Sequence, residues 1–316
     1  MTRDKSATEA MNRAIERARR MLFPARLDKW LALGLLTFLA SLSDGGGYGI
    51  RWPGGDSWPW SKGGTPEEVL TKALEWLRDH ASLAIALVSG TFAVGLGVAL
   101  LLTWLSSRGK LMFVEAVIHN RHAVKEPWER LRAPAWEVFK FRCVLGLITL
   151  LAITLALGAG GLLAFDDFRS RAFGVATLAG GLVAIGVSLV TVMPLVLVSA
   201  VLDDFLIPVY YLRGGTLGAA WSSFRSEVLA GNVGPIVVFY LLKWLASAGF
   251  MILAALAACL TCCIAALPYV SSVVLLPAHV FFRGYSLYFL EQLGVPVFPV
   301  EQPPPAFENY PLRFGG

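Results

Sequence analysis

The sequence predicts an all-α, polytopic integral membrane protein with six transmembrane helices, arranged as three hairpins and joined by amphipathic interfacial helices. Its composition is 56% hydrophobic and only 16% charged, with a mean hydropathy of +0.63, which is untypical of a soluble domain. Apolar runs of roughly 20 residues can cross a hydrocarbon core of about 30 Å as helices. They do not alternate apolar and polar residues, as β-barrel strands would. The six apolar runs are 28–43, 82–106, 143–165, 174–201, 236–263 and 268–290.

The distribution of basic residues predicts the orientation in the membrane. Most of the 27 Lys and Arg lie in the N-terminal segment and in the loops 107–142 and 202–232, all on one side if there are six spans. Loops rich in Lys and Arg stay in the cytoplasm. Both termini are therefore predicted to be cytoplasmic, and membrane topology explains the net charge of +5 without nucleic acid as a partner.

The chain divides into three parts. Residues 1–27 form a basic amphipathic helix, with Met11, Ile15, Ala18 and Leu22 on one stripe. We expect this helix to lie on the inner leaflet with its arginines toward anionic headgroups, and docking on a protein is the alternative. Residues 28–290 form the transmembrane domain, including an outer loop at 44–81, and residues 291–316 form a Pro-rich tail.

The third and fourth predicted spans form an antiparallel hairpin, because only residues 166–171 separate them. Both carry small residues at a spacing of four, which lets helix backbones approach closely in lipid. The pattern indicates a helix–helix seam, either within one chain or between chains. Its members are Ala156, Gly160 and Ala164 in one span, and Ala176, Gly180, Ala184 and Ser188 in the other.

The two inner loops share a pattern. Residues 135–139 and 220–224 both read Ala-Trp-x-x-Phe, and a Phe precedes an Arg by eight positions in each loop. The pairs are Phe113 with Arg121 and Phe205 with Arg213, and a similar element begins at Phe281. The repetition predicts related interfacial elements on the cytoplasmic face.

A few ionisable residues near the spans are candidates for function. His279 and Arg283 are four apart, hence on one helix face. Arg283 could pair with Asp203 or Asp204, bind a lipid phosphate, or line a transport path. Neighbouring residues on a helix project about 100° apart, so Asp203 and Asp204 are not expected to act on one substrate together.

Lys243 lies within the fifth apolar run and has two interpretations. Counted from a helix start at Val233, it would lie about 15 Å deep, in mid-bilayer. However, Lys243-Trp244-Leu245-Ala246 repeats the sequence of residues 29–32 at the start of the first run. This favours Lys243 reaching the inner interface, at a lower free-energy cost.

Cys259, Cys262 and Cys263 form a cysteine cluster near the outer end of the fifth run. A CxxC could form a disulfide or bind a metal. No His or second CxxC lies nearby in sequence to complete a zinc site, so packing of small thiols between helices is favoured. No sequence motif indicates a cofactor, and none is predicted.

Four stretches give the chain a resemblance to known proteins: residues 29–34, 203–213, 268–277 and 281–294. Together they resemble a family of uncharacterised bacterial integral membrane proteins. That family is loosely akin to the membrane domains fused to some glycerophosphodiester phosphodiesterases. The resemblance implies a bacterial inner-membrane location and a helical-hairpin fold, and it brings no catalytic residues.

We therefore expect a non-enzymatic inner-membrane protein, either an accessory or scaffold subunit or a lipid-organising protein. Arg121, Arg213 and Arg283 would contact membrane lipids, a protein partner or a second copy of the chain. The alternative is a small transporter or lipid-handling permease with a polar path past His279, Arg283 and Lys243. A membrane-embedded hydrolase using Asp203 and Asp204 is the third hypothesis.

Overall fold

The computed structural model describes residues 7–23, 27–42, 81–120, 124–170, 174–260 and 268–298. Within these ranges every regular element is helical. Four helices there are long and apolar enough to cross a membrane, which indicates a membrane protein. Their apolar segments are Ser89–His119, Arg132–Leu163, Val175–Arg213 and Val233–Leu256.

The described α-helices are given in chain order. We number them α1 (Ala7–Leu22), α2 (Leu27–Ser41), α3 (Ala81–His119), α4 (Lys125–Arg130), α5 (Arg132–Leu163), α6 (Phe165–Ser170), α7 (Val175–Val201), α8 (Ile207–Arg213), α9 (Leu217–Ser223), α10 (Val233–Leu260), α11 (Pro268–Val274) and α12 (Leu276–Gln292). A π-helical turn, Leu202–Leu206, joins α7 to α8, and a second one, Phe224–Leu229, follows α9.

Six spans are not confirmed. The first predicted span is α2, whose 15 residues reach only about 22 Å as a helix. The sixth is interrupted at Leu275, between α11 and α12. Pro277 lies in the first turn of α12, where it has no N–H to donate to the carbonyl of Val273 and its ring crowds that carbonyl, so the regular helix is interrupted there.

The described helices divide into two regions. In what we call the packed region, α1, α2, α8 and α12 enclose residues 106–118 of α3, every one of which is buried. The four outer arms are residues 89–101 of α3, 143–163 of α5, 175–201 of α7 and 241–260 of α10. Large apolar side chains are exposed along all four arms.

α2 runs antiparallel to the C-terminal half of α3. The Lys29 Nζ donates to Asn120 Oδ1 at 3.2 Å, and the Ser106 Oγ donates to the carbonyl of Ala40 at 2.7 Å. A Cβ on Gly109 would lie 2.5 Å from the backbone nitrogen of Ala40. Glycine at this position therefore permits the close approach of the two helices.

α1 packs against α12 within the same chain, and its buried stripe differs from the predicted one. Ala10, Ala14 and Ala18 are buried, whereas Ile15 is 53% exposed. A Cβ on Gly284 would lie 3.5 Å from Ala14 Cβ, so small residues bring the two helices together. Close approach, rather than the largest apolar side chains, decides which face of α1 is buried.

The seam between α5 and α7 is confirmed, and it lies within one chain. A Cβ placed on Gly180 would lie 2.4 Å from the carbonyl oxygen of Gly160, and one on Gly160 would lie 2.7 Å from Ala184 Cβ. Ala156, Gly160 and Gly180 are buried, while most of both helices is exposed. Small residues thus allow the two helices to approach closely along this line of contact.

The two predicted inner loops are largely helical. Their Ala-Trp-x-x-Phe repeats occupy equivalent environments: Ala135 and Ala220 are buried, while Trp136 and Trp221 are exposed. Each Trp ring packs obliquely against the Phe three positions later, with centroids 5.1 and 6.0 Å apart. The repeat in sequence is therefore a repeat in local structure.

Candidate functional site

Two adjacent carboxylates anchor a cluster of charged side chains in the packed region. The Lys110 Nζ donates to Asp203 Oδ2 at 2.6 Å, and Arg142 binds the other oxygen of that carboxylate. The Lys243 Nζ contacts both oxygens of Asp204, at 2.5 and 2.6 Å. Arg283 Nη1 donates to the backbone carbonyl of Asp203 at 2.6 Å. We call these six residues the ion-pair hub.

The π-helical turn directs the two carboxylates to different partners. Asp203 faces α3 and α5, whereas Asp204 faces α10. The two carboxylates thus project in different directions, as expected for neighbouring residues on a helix. An extra residue in a helical turn changes the direction of the side chains around it, and such turns are frequent at functional sites.

The hub connects α3, α5, α10 and α12 to one turn of chain. Its charged atoms are largely withdrawn from solvent, with the Lys110 side chain 3% exposed and that of Asp204 8%. Burial of a charge is costly unless it is paired, and breaking such a pair is strongly destabilising. The hub therefore links these four helices to the π-helical turn through ion pairs and a hydrogen bond.

An aromatic cluster adjoins the hub on the α10 side. The Phe205 ring, next to Asp204 in sequence, lies 5.1 Å from that of Phe239. Phe239 in turn stacks on Tyr285 and Phe289 of α12, with centroids 4.5 and 4.7 Å apart. Apolar packing and ion pairing thus fix the same junction.

The sequence-predicted candidates are only partly brought together. Asp203, Asp204, Lys243 and Arg283 meet in the hub, and His279 lies half-buried one turn before Arg283. Arg213 has a different partner, since it forms an exposed ion pair with Glu227 at 2.5 and 2.7 Å. Arg121 lies outside the described residues.

A groove of 480 Å³ runs between α3, α5 and α7. Its walls are mostly apolar, and Arg142 of the hub lies among its lining residues together with Thr103 and Ser199. The apolar part of the lining consists of Leu145, Gly146, Leu150, Ile153, Leu195 and Val196. The groove therefore combines an apolar wall with a cationic residue.

A larger open cavity of 1090 Å³ lies where α3, α4 and α5 meet. Arg108 of α3 lies between the rings of Trp104 and Trp128, with its guanidinium carbon 4.6 Å from each ring centroid. Arg132 and Trp136 line the same cavity. We call these five residues the Trp–Arg cavity.

Sequence reasoning missed the Trp–Arg cavity, although a signal was present. Trp104 and Arg108 are four apart, and so are Trp128, Arg132 and Trp136 in succession. Residues four apart share a helix face. The prediction of an inner loop at 107–142 conceals this spacing.

The described cysteines and acidic residues form no metal site. Nowhere in the described ranges do three His, Cys, Asp or Glu side chains come close enough to hold a metal ion. Cys259 is exposed near the end of α10. Cys262 and Cys263 lie outside the described residues, so the choice between disulfide and helix packing stays a prediction.

The comparison with known families matches residues 5–275 of this chain to the family of unknown function DUF7544. The match covers most of the chain. It includes the whole Trp–Arg cavity and every residue of the ion-pair hub except Arg283. The chain belongs to this uncharacterised family. Neither the curated proteins nor the solved structures contain a significant match to it.

Proposed function

We propose that this protein is a non-enzymatic membrane protein that organises lipid next to its packed region. The single observation that carries the proposal is the groove between α3, α5 and α7. Leu145, Leu150 and Ile153 supply apolar contacts for an acyl chain, and Arg142 supplies a cation for the polar end of a lipid. The exposed apolar surface of the outer arms supports the same proposal, because such surface needs a lipid or protein environment.

The lengths of two of the outer arms support a position in the bilayer. The 21 residues 143–163 extend about 31 Å as a helix, and the 20 residues 241–260 about 30 Å. This matches a hydrocarbon core of about 30 Å. The proposal places the ion-pair hub near one boundary of the bilayer, where charged side chains are least costly.

The charge distribution supports a cytoplasmic position for that boundary in a bacterial inner membrane. A membrane-impermeant maleimide tests this in a variant that has Arg225→Cys and lacks the four native cysteines. Reaction is expected only after the cells are opened. Reaction in intact cells would contradict the orientation.

A pair of variants on α5 tests the groove. A Cβ on Gly146 meets no atom within 4 Å, so Gly146→Phe fills the groove without colliding with the protein backbone. Gly158 is equally open, lies on the same helix and does not line the groove, so Gly158→Phe is the matched control.

Native mass spectrometry after gentle extraction measures the lipid retained by each variant. The original protein and Gly158→Phe are expected to keep the same lipids at the same occupancy, and Gly146→Phe is expected to lose them. Equal occupancy in the two variants, or no retained lipid in any of them, would overturn the proposal. A protein retained at fixed stoichiometry in place of lipid would favour an accessory subunit.

A further inference from the structure

We propose that the Trp–Arg cavity is a binding site for a phosphate group, with Arg108 and Arg132 as its cationic ligands. The inference goes beyond the lipid groove, because it concerns other residues and a polar ligand. It rests on the burial of Arg108, on its lack of a carboxylate partner among the described residues, and on the size and lining of the cavity.

Arg108 is a buried cation that forms no ion pair with a carboxylate in the described part of the chain, although Glu129 also lines the cavity. Only 7% of the residue is exposed, and its Nε has no hydrogen-bond partner there. The charged neighbour that acts on it is Arg132, which has the same sign. Glu115, the nearest acidic residue along α3, instead binds Arg130.

The two indole rings compensate only part of the cost of burying Arg108. Cation–π contacts stabilise a buried cation by less than the burial of an unpaired charge costs. A bound anion would supply the missing charge and accept the unused N–H groups. The site is thus arranged for a ligand of negative charge with several acceptor oxygens.

A phosphate group fits these requirements better than a lone carboxylate. The planar guanidinium fork matches phosphate oxygens in bidentate geometry, and a second arginine can neutralise a further oxygen. Arg132 is exposed and lines the cavity, so it can reach a ligand held by Arg108. Arg130 contributes less, because it is already paired with Glu115.

The cavity has room for more than inorganic phosphate. Its 1090 Å³ reaches the upper end of the range for small-molecule sites, about 300–1000 Å³. Trp128 and Trp136 supply amphipathic rings of the kind found beside lipid headgroups. The phosphate can belong to a lipid headgroup or to a soluble phosphate compound, and the test separates these sources.

The test uses the full chain in nanodiscs of phosphatidylcholine with a small fraction of spin-labelled phosphatidylglycerol or spin-labelled phosphatidylcholine. The protein is expected to immobilise the anionic lipid in preference to the zwitterionic one. Arg132→Gln should reduce that preference about tenfold, the equivalent of one lost charge-assisted hydrogen bond. Arg108→Lys should also reduce it, because an ammonium cannot reproduce the bidentate fork.

Arg225→Gln is the matched control, because Arg225 is an exposed arginine that does not line the cavity. This variant should keep the full preference. Arg132→Gln keeps the experiment interpretable even if Arg108→Lys fails to fold, since Arg132 is exposed.

A second arm measures inorganic phosphate binding by calorimetry in detergent without lipid. Binding that Arg132→Gln weakens assigns the site to soluble phosphate compounds, and lipid selectivity without phosphate binding assigns it to a headgroup. The inference is overturned if neither lipid selectivity nor phosphate binding is observed. It is also overturned if Arg132→Gln behaves like Arg225→Gln in both measurements. Loss of lipid selectivity in Arg132→Gln, together with normal lipid retention in Gly146→Phe, would support phosphate binding in the Trp–Arg cavity and contradict lipid binding in the groove.

Discussion

The two halves of α3 show how differently the packed region and the outer arms are built. Residues 106–118 are buried on all sides and include Arg108, Lys110 and Glu115. Residues 89–101 carry no charge and are exposed, with Leu101 at 59%. One continuous helix thus buries charged residues in one half and exposes apolar residues in the other.

This difference between the two halves of α3 shows which region requires particular side-chain partners. The arms can be apolar on every face because each helix makes its own backbone hydrogen bonds and its side chains need no partner within the protein. In the packed region each buried charge needs a particular partner at a particular distance. Substitutions should therefore be most costly in the packed region, unless they block the one close contact within the arms.

The largest effect is expected from breaking the hub. Asp204→Asn leaves the ammonium of Lys243 without its carboxylate and should lower the free energy of unfolding by about 3–5 kcal/mol. Denaturation by SDS titration in mixed micelles measures the loss.

The double variant Asp204→Leu with Lys243→Met separates pairing from packing. Removing both charges together should recover most of the stability, because no charge is left buried alone. A double variant that loses as much stability as the single variants Asp204→Leu and Lys243→Met combined would show that the pair is not coupled. Such a result would contradict the expectation that the packed region depends on the pairing of its buried charges.

The next effect concerns the attachment of α1. Arg17 Nη2 donates to the carbonyls of Val117 and Ile118, at 2.7 and 2.8 Å, in the last turn of α3, where carbonyls lack helical partners. Arg17→Gln should weaken docking of α1 by about 1.5–3 kcal/mol, and hydrogen exchange of α1 measures this. Arg19→Gln, at an exposed position of the same helix, should leave exchange unchanged.

A comparable or smaller effect is expected within the arms, at the α5–α7 seam. Gly180→Leu collides with the backbone of Gly160 and should cost about 1–3 kcal/mol by overpacking. Gly181→Leu adds the same side chain where no atom lies within 4 Å, and should be neutral. Equal thermal stability of the two variants in detergent would show that the seam is not tightly packed.

The smallest effect concerns the exposed pair of Arg213 and Glu227. The hydrogen bond from Arg213 lowers the pKa of Glu227 below its ordinary value of 4.5. The pair therefore stabilises the fold above about pH 4.5, and this contribution is lost as the pH falls through the lowered pKa. Glu227→Gln should remove that pH dependence, as measured by thermal unfolding between pH 3 and 7 at low salt. A variant with an unchanged pH profile would show that the pair contributes nothing.

Much of the fold could be predicted because the signals were local. Four apolar runs became long helices, since length and hydropathy suffice to identify a helix that can cross a membrane. The seam was readable because Gly160 and Gly180 occur at regular spacing in two adjacent helices. The stripe of α1 was misread because alanines, not Ile15, make its contact with α12.

The candidate site was harder to predict because its members are far apart in sequence. Lys110 and Asp203 are 93 positions apart, and Lys243 and Asp204 are 39 apart. Sequence identified Asp203, Asp204, Lys243 and Arg283 as unusual but could not choose their partners. It overlooked Arg108, because its burial depends on Trp128 of another helix.

The sequence by itself determined that the chain is helical, that it suits a membrane, and which small residues let α5 and α7 meet. These properties follow from hydropathy and from side-chain size along single helices. Only the tertiary structure decided which charges are neutralised by each other and which arginine is left facing a cavity. Pairing depends on distances between helices, and those distances are fixed only when all the helices have packed.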